Sequence, residues 1–244
     1  MTTNNKRHHS LEGGYNFRDL GGYSTKNGKT VQWKKIFRSD DLSNLSNADL
    51  DYLSDLSIAT VVDFRSKEEA LKAPNKIPAS VKNVFPFSIN PGNMDITQIT
   101  ELFEKMPIEQ IMEKIYHFLV QDEEIISQYR KFFALLQNSD NIPLVFHCSA
   151  GKDRTGMAAA LFLNALGVDE KIIMDDYLLS NQYIKNKYAP IVAQKPHYKP
   201  FFEVESRYLK LSFDTIKDNY STIDNYLEKV LNVDIFKLRE KYLD

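Results

Sequence analysis

The chain of 244 residues has a single cysteine, Cys148, and only nine glycines and nine prolines. One thiol excludes an intramolecular disulfide and any site that needs two thiolates. It also leans towards a reducing compartment. No apolar run approaches the roughly 18 residues that a membrane helix requires, so no integral membrane segment is expected. The formal net charge of −2 offers no global field for nucleic acid, and no nucleic-acid partner is expected. The histidines are scattered and the thiol is single, which leaves no metal site and calls for no cofactor. Residues 1–10 are polar and basic, without the apolar stretch of a signal peptide. A cytoplasmic location is the expectation, with secretion open if a signal peptide once preceded this start.

What is present suits one globular unit. Hydrophobic residues make up 43% and charged residues 26%, with 15 Phe and 13 Tyr to fill a core. There is no repeat and no low-complexity stretch. A single domain over residues 1–244 is expected, monomeric, with residues 1–12 as a disordered polar tail.

Asn27-Gly28 between Tyr23 and Thr30-Val31-Gln32-Trp33 reads as a hairpin turn, with a strand continuing to about Phe37. Ser46 followed by Asp49 reads as a helix start. The β-branched run 58–64 reads as a buried strand, and 81–87 as another. Residues 108–137 are helical in pattern, with Ile108, Ile111, Met112, Ile115 and Leu119 on one face. Leu144-Val145-Phe146 is an apolar strand too short to be a helix. Helices are expected over 154–166, ended by Gly167, and from near Asp169 past Tyr183. A helical pair follows from Tyr220. Strands alternating with helices predict an α/β fold, a central and mostly parallel sheet flanked by helices. Residues 91–108 have the weakest periodicity. They are the candidate for a lid reaching to about residue 120, the alternative being an ordinary surface excursion.

The informative string is His147-Cys148-Ser149-Ala150-Gly151-Lys152-Asp153-Arg154-Thr155-Gly156, lying between a predicted strand and a predicted helix. A helix N-terminus offers unpaired amides and the positive end of the helix dipole. A loop wrapped around it can aim the amides of Ser149, Ala150, Gly151, Lys152, Asp153 and Arg154 at one phosphate. Arg154 adds a planar fork for two phosphate oxygens. In that positive field the Cys148 thiolate is favoured and is placed for in-line attack, giving a phosphocysteine that water hydrolyses. Thr155 can donate its hydroxyl to the thiolate. His147 is expected to organise the loop rather than to act as a base. Asp153 is the nearest candidate for acid–base work, and helix capping is its alternative role. Lys152 leans towards substrate recognition. Gly28-Lys29-Thr30 and Gly151 to Gly156 each share part of a nucleotide-binding pattern, but neither carries enough of it to support nucleotide hydrolysis.

The string His147-Cys148-x5-Arg154-Thr155 resembles the signature of the cysteine-dependent protein tyrosine phosphatases. Its detailed form resembles a bacterial branch of atypical dual-specificity and lipid phosphatases best known from mycobacteria. Asn16-Phe17-Arg18-Asp19-Leu20-Gly21-Gly22, Phe37-Arg38-Ser39 with Leu42, Val62-Asp63-Phe64-Arg65-Ser66 with Glu69, and Asp176-Tyr177-Leu178 with Ser180-Asn181 extend the resemblance along most of the chain. It implies a phosphatase-type fold, Cys148 as nucleophile and Arg154 as phosphate clamp. It associates Lys152 and Asp153 with lipid phosphate recognition, and phosphorylated proteins or phosphoinositides are the implied substrates. In related enzymes an Asp on a separate loop can be the acid. Here the stretch after Phe85-Pro86-Phe87 reads Ser88-Ile89-Asn90 and its first acid is Asp95, which shifts weight onto Asp153. Arg65 with Glu69 reads as a structural ion pair, and Arg18 with Asp19 as a fixture of the N-terminal segment.

Two other classes compete. A binding module could read phosphate without turnover, but it has no use for a thiolate. A thiol oxidoreductase normally needs a resolving cysteine.

Overall fold

Strand side chains alternate between the faces of a sheet, and here that alternation divides the apolar residues between two cores. The structure, a computed structural model, describes residues 7–93 and 101–244. Its strands are β1 (Arg18–Asp19), β2 (Ile36–Ser39), β3 (Thr60–Asp63), β4 (Asn83–Pro86) and β5 (Leu144–His147), in the spatial order β1-β2-β5-β3-β4. β1 pairs antiparallel with β2, and the other three pairs are parallel. Ile36, Val62, Leu144 and Phe146 face the larger core, while Phe37, Val61 and Val145 face the smaller one beside Phe17 and Leu53. The expected α/β class, a mostly parallel sheet flanked by helices, is the one observed.

The described helices are α1 (Asn47–Asp55), α2 (Lys67–Lys72), α3 (Ile108–Gln121), α4 (Glu123–Leu136), α5 (Arg154–Ala165), α6 (Glu170–Gln194), α7 (Lys199–Phe202), α8 (Ser206–Tyr220), α9 (Ile223–Lys229) and α10 (Ile235–Tyr242). The signal at Ser46 and Asp49 is a complete capping box, and Ser66 with Glu69 makes a second one at α2. The helical pattern over 108–137 divides at Asp122, whose extended backbone ends α3. Its carboxylate then accepts the amides of Glu124 and Ile125 to start α4. Gly167 closes α5 at φ +81, a left-handed conformation that costs glycine little.

Three expectations need correction, and one helix goes beyond them. The strand from Thr30 does not run on to Phe37. The chain turns at Trp33-Lys34, with Lys34 at φ +60 and its amide 2.7 Å from the Asp19 carboxylate. Residues 30–32 pair with the C-terminal segment instead, Val31 with Leu243 and the Gln32 amide with the Tyr242 carbonyl. Residues 7–12 are not a disordered tail. The Arg7 guanidinium lies 3.5 Å from the Tyr23 ring centroid and donates to the carbonyls of Asp19 and Gly21, and His8 stacks on Tyr183. The lid does not extend to residue 120, because α3 buries Ile108, Ile111, Met112, Ile115 and Leu119 in the larger core. Residues 94–100 of that expected lid lie outside the described residues. Finally, α8 was not expected. It packs Tyr208, Leu209, Phe213 and Ile216 inward, but buried Ser212 and Thr215 interrupt the apolar stripe that would announce it.

Candidate active site

The central strand sets the position of the site. β5 lies between β2 and β3, so the carboxyl ends of three parallel strands meet, which is where open α/β sheets bind ligands. Residues 148–153 leave β5 there and lead into α5. The carbonyls of this loop are tied down on its outer side. Asn16 Nδ2 donates to the carbonyls of Ala150 and Gly151 at 3.0 and 3.1 Å, and Arg38 Nη2 donates to that of Gly151 at 2.7 Å. The carbonyl of Ser149 accepts the Asp41 amide and Lys187 Nζ. The amides of Ser149 to Arg154 have no acceptor among the described residues, which leaves six donors for an anion. Gly151, at φ +67, lies so close to β2 that an added Cβ would sit 2.3 Å from the Ser39 carbonyl oxygen.

Behind the loop the braces are themselves fixed. Asp176 of α6 accepts Arg18 Nε at 3.1 Å, Arg38 Nη1 at 2.7 Å and the Tyr23 hydroxyl at 2.8 Å. Its pKa is held well below the carboxylate range, since the two arginines outweigh a burial that alone would raise it. Lys187 Nζ lies 2.7 Å from carboxylate oxygens of both Asp40 and Asp41, just beyond β2. Arg18, Arg38 and Asp63 are thus engaged with other protein groups, Asp63 with Arg65 and near His147. Asp19 holds the amides of Gly21 and Lys34 rather than pairing with Arg18.

The pair proposed between Arg65 and Glu69 is not formed. Arg65 clamps Asp63 and Asn75, and Glu69 instead receives the Arg154 fork at 2.7 and 2.8 Å together with the Ser149 hydroxyl at 2.5 Å. The reason is register: β3 ends beside β5, so the start of α2 faces the loop after Cys148. The Ser66-x-x-Glu69 spacing was visible in the sequence, but it signals only a cap.

Cys148 is buried among the loop and larger-core residues yet lines a cavity of about 420 Å³ together with Ser149, Lys152, Asp153 and Arg154. Phe103, Tyr188, Tyr198 and Phe201 cover it, supplied by the residues before α3, the end of α6, a 3-10 turn (Pro196–Tyr198) and α7. The cover therefore comes mainly from residues 188–202, which the sequence reading did not single out. Asp153 stands at the cap of α5 but makes no side-chain cap bond, and its carboxylate accepts Tyr116 and Lys152. Thr155 Oγ1 is buried without a hydrogen-bond partner among the described residues, so the expected donation to the Cys148 sulfur is not made. His147 Nδ1 lies 3.2 Å from the Cys148 carbonyl and Nε2 3.7 Å from Asp63. Asp95 lies outside the described residues.

Three of these groups link the site to acid stability. Burial alone would raise Glu69 and Asp63, but Arg154 holds the first at about 2, and His147 with Arg65 holds the second at about 2. Unfolded carboxylates titrate near pH 4, so the unfolded chain binds more protons than the folded one below about pH 5. The stability these groups supply is whole above about pH 5 and is lost as pH falls towards 2. Burial lowers the His147 pKa, so the unfolded imidazole charges first and stability already declines below about pH 6.5. The melting temperature is expected to fall continuously from pH 6.5 to pH 3. A flat profile over that range would contradict the pairing described.

A loop of unpaired amides with a guanidinium and a thiol, at the carboxyl end of a central strand, is the arrangement of a cysteine-dependent phosphatase. The chain belongs to the tyrosine phosphatase family, which it matches over residues 9–244, and it is a phosphoric monoester hydrolase. It is 33% identical over 237 residues to a protein of Cupriavidus necator described as a tyrosine-protein phosphatase, covering 93% of this chain and 85% of that one. It is 26% identical over 259 residues to the triple specificity protein phosphatase PtpB of Mycobacterium tuberculosis, covering 89% of this chain and 91% of PtpB. Among solved structures, the core catalytic domain of the PP-IP phosphatase SIW14 of S. cerevisiae aligns with a TM-score of 0.40 at 15% identity, over 77% of this chain and 97% of that one. No described helix is long and apolar enough to cross a membrane.

Proposed function

We propose that this chain hydrolyses phosphotyrosine first, and phosphoserine, phosphothreonine and phosphoinositides as further substrates, with Cys148, Arg154 and Asp153 as its catalytic residues. The observation that carries the reading is the loop in which carbonyls are tethered outward while Cys148, Ser149, Ala150, Lys152, Asp153 and Arg154 line one cavity. The Cys148 thiolate attacks phosphorus, forming the P–S bond as the P–O bond to the leaving group breaks. Arg154 and the amides of Ser149, Ala150, Gly151, Lys152, Asp153 and Arg154 bind the equatorial oxygens, whose charge they match in both steps. Asp153 protonates the leaving oxygen and then takes a proton from the water that cleaves the P–S bond. His147 and Thr155 have supporting places beside the nucleophile. Neither a metal nor a cofactor has a part in these steps.

Aromatic residues over the cavity favour an aryl ester, which is why phosphotyrosine stands first. Lys152, buried against Phe201 with Nζ 5.6 Å from its ring centroid, is the cation proposed to read a second phosphate on a lipid headgroup. The family match over residues 9–244 supports a single phosphatase domain. The proposed setting is a cytoplasmic monomer.

Rates on a phosphotyrosine peptide, a phosphoserine peptide and phosphoinositides in mixed micelles test the substrate order. Lys152→Ala is expected to lower phosphoinositide turnover about tenfold more than phosphotyrosine turnover, the effect of one charge-assisted hydrogen bond. Equal losses on both would remove Lys152 from lipid recognition.

A further inference from the structure

Asp153 occupies a position where its carboxylate could cap α5, yet it is drawn elsewhere. Oδ1 accepts the Tyr116 hydroxyl at 2.8 Å and lies 2.9 Å from Lys152 Nζ, while Oδ2 lies 2.8 Å from the same nitrogen. Tyr116, on α3, is fully buried, and its hydroxyl is 2.5 Å from that of Tyr177 on α6. A phenol has one proton to donate. With the Tyr116 proton directed at Asp153, Tyr177 must be the donor between the two hydroxyls, so the bonds run from Tyr177 to Tyr116 to Asp153. Burial, and then the charge of Asp153, push the Tyr116 hydroxyl well above the usual tyrosine range, so it keeps its proton. The ring is held in turn. It stacks on Tyr208 of α8 at 5.4 Å between centroids, and the Tyr116 carbonyl accepts Ser212 Oγ at 2.8 Å.

We propose that Tyr116 is a positioning residue for the general acid: by engaging Oδ1 it fixes the plane of the Asp153 carboxyl, so that Oδ2 carries the transferable proton once Lys152, 2.8 Å from it here, turns to the substrate phosphate. This rests on the acid–base role of Asp153 given above. In the first step the Oδ2 proton passes to the leaving oxygen as the P–O bond breaks and the P–S bond forms. In the second, Oδ2 takes a proton from water as the new P–O bond forms and the P–S bond breaks. The Tyr116 proton stays in place through both. A carboxyl free to rotate would still ionise, but it would seldom point its acidic oxygen at the leaving group, and misplacement of a catalytic group is costly.

The test compares phenyl phosphate, whose leaving group needs protonation, with 4-nitrophenyl phosphate, whose leaving group needs little. Under conditions where formation of the phosphocysteine is rate-limiting, Asp153→Asn is expected to lower kcat on phenyl phosphate by about 10²-fold or more. Tyr116→Phe should lower it about tenfold, with KM nearly unchanged and little loss on 4-nitrophenyl phosphate. The double variant should be no slower than Asp153→Asn alone, since both changes act through one group. Tyr177→Phe should show the same selectivity with a loss of about two- to threefold, and it carries the test if Tyr116→Phe does not fold. Equal losses on both esters for Tyr116→Phe, or a loss confined to KM, would overturn the proposal. Tyr116→Phe at wild-type rates beside a selective Asp153→Asn would overturn Tyr116 alone. Asp153→Asn that slows both esters equally would remove the acid itself, and this proposal with it.

Discussion

Cys148→Ser is expected to lower turnover of an aryl phosphate by at least about 10⁴-fold, the scale on which removal of an enzyme nucleophile is felt. A serine hydroxyl in the same place is neutral and a poor nucleophile at its ordinary pKa. His147 is buried behind the loop, engaged with the Cys148 carbonyl and near Asp63. The amides and Arg154 are untouched by the change, so phosphate and vanadate should still bind. Acid quenching of the native protein during turnover should leave a phosphoryl group on the peptide that contains Cys148, and the same peptide from Cys148→Ser should carry none. Turnover by Cys148→Ser within tenfold of native would refute covalent catalysis at this sulfur.

The second large effect lies away from the chemistry. Asp176 is the shared counter-ion of Arg18 and Arg38, all three buried. Removing one partner of a buried ion pair typically costs about 3–5 kcal/mol, because the charge left behind has neither water nor a partner. Asp176→Ala strands two guanidinium groups and also frees the Tyr23 hydroxyl. For a chain of this size the expected fall in melting temperature is about 10 °C. Activity should fall even where the variant is folded, since Arg38 no longer has a fixed position from which to hold the Gly151 carbonyl. A melting temperature within about 2 °C of native would show that the two arginines find other partners.

How much of this could be read beforehand depended on whether the cause was local. The loop from His147 to Gly156 was legible because the spacing of Cys148 and Arg154, the glycines and the strand-to-helix setting all act within a few residues. The sheet was legible from β-branched and apolar runs at 58–64 and 144–146. The partner of Arg154 was not, because Glu69 and Arg65 stand four positions apart and only the order β2-β5-β3 decides which guanidinium the carboxylate meets. Tyr116 was hidden by its own stripe. Its neighbours Met112, Ile115 and Leu119 are core residues, and a tyrosine among them reads as bulk until its hydroxyl is seen to meet Asp153. Lys187 and the covering aromatics at 188–202 carry no periodic signal, since the last half of α6 has water on most of its surface and its last buried residue is Ile184.

The outward tethering of the loop has a consequence for how the protein comes alive. Its guy-ropes are Asn16, Arg38, Asp41 and Lys187, and the anchor of Arg38 is Asp176. A chain emerging from the ribosome exposes its thiol and signature arginine well before the later of these has been made. Until α6 docks, the Ser149 carbonyl lacks Lys187 and Arg38 lacks its counter-ion, so a nascent or refolding molecule possesses the reactive sulfur in a loop that is only partly braced. Regained turnover should therefore trail formation of the sheet and keep time with the arrival of α6.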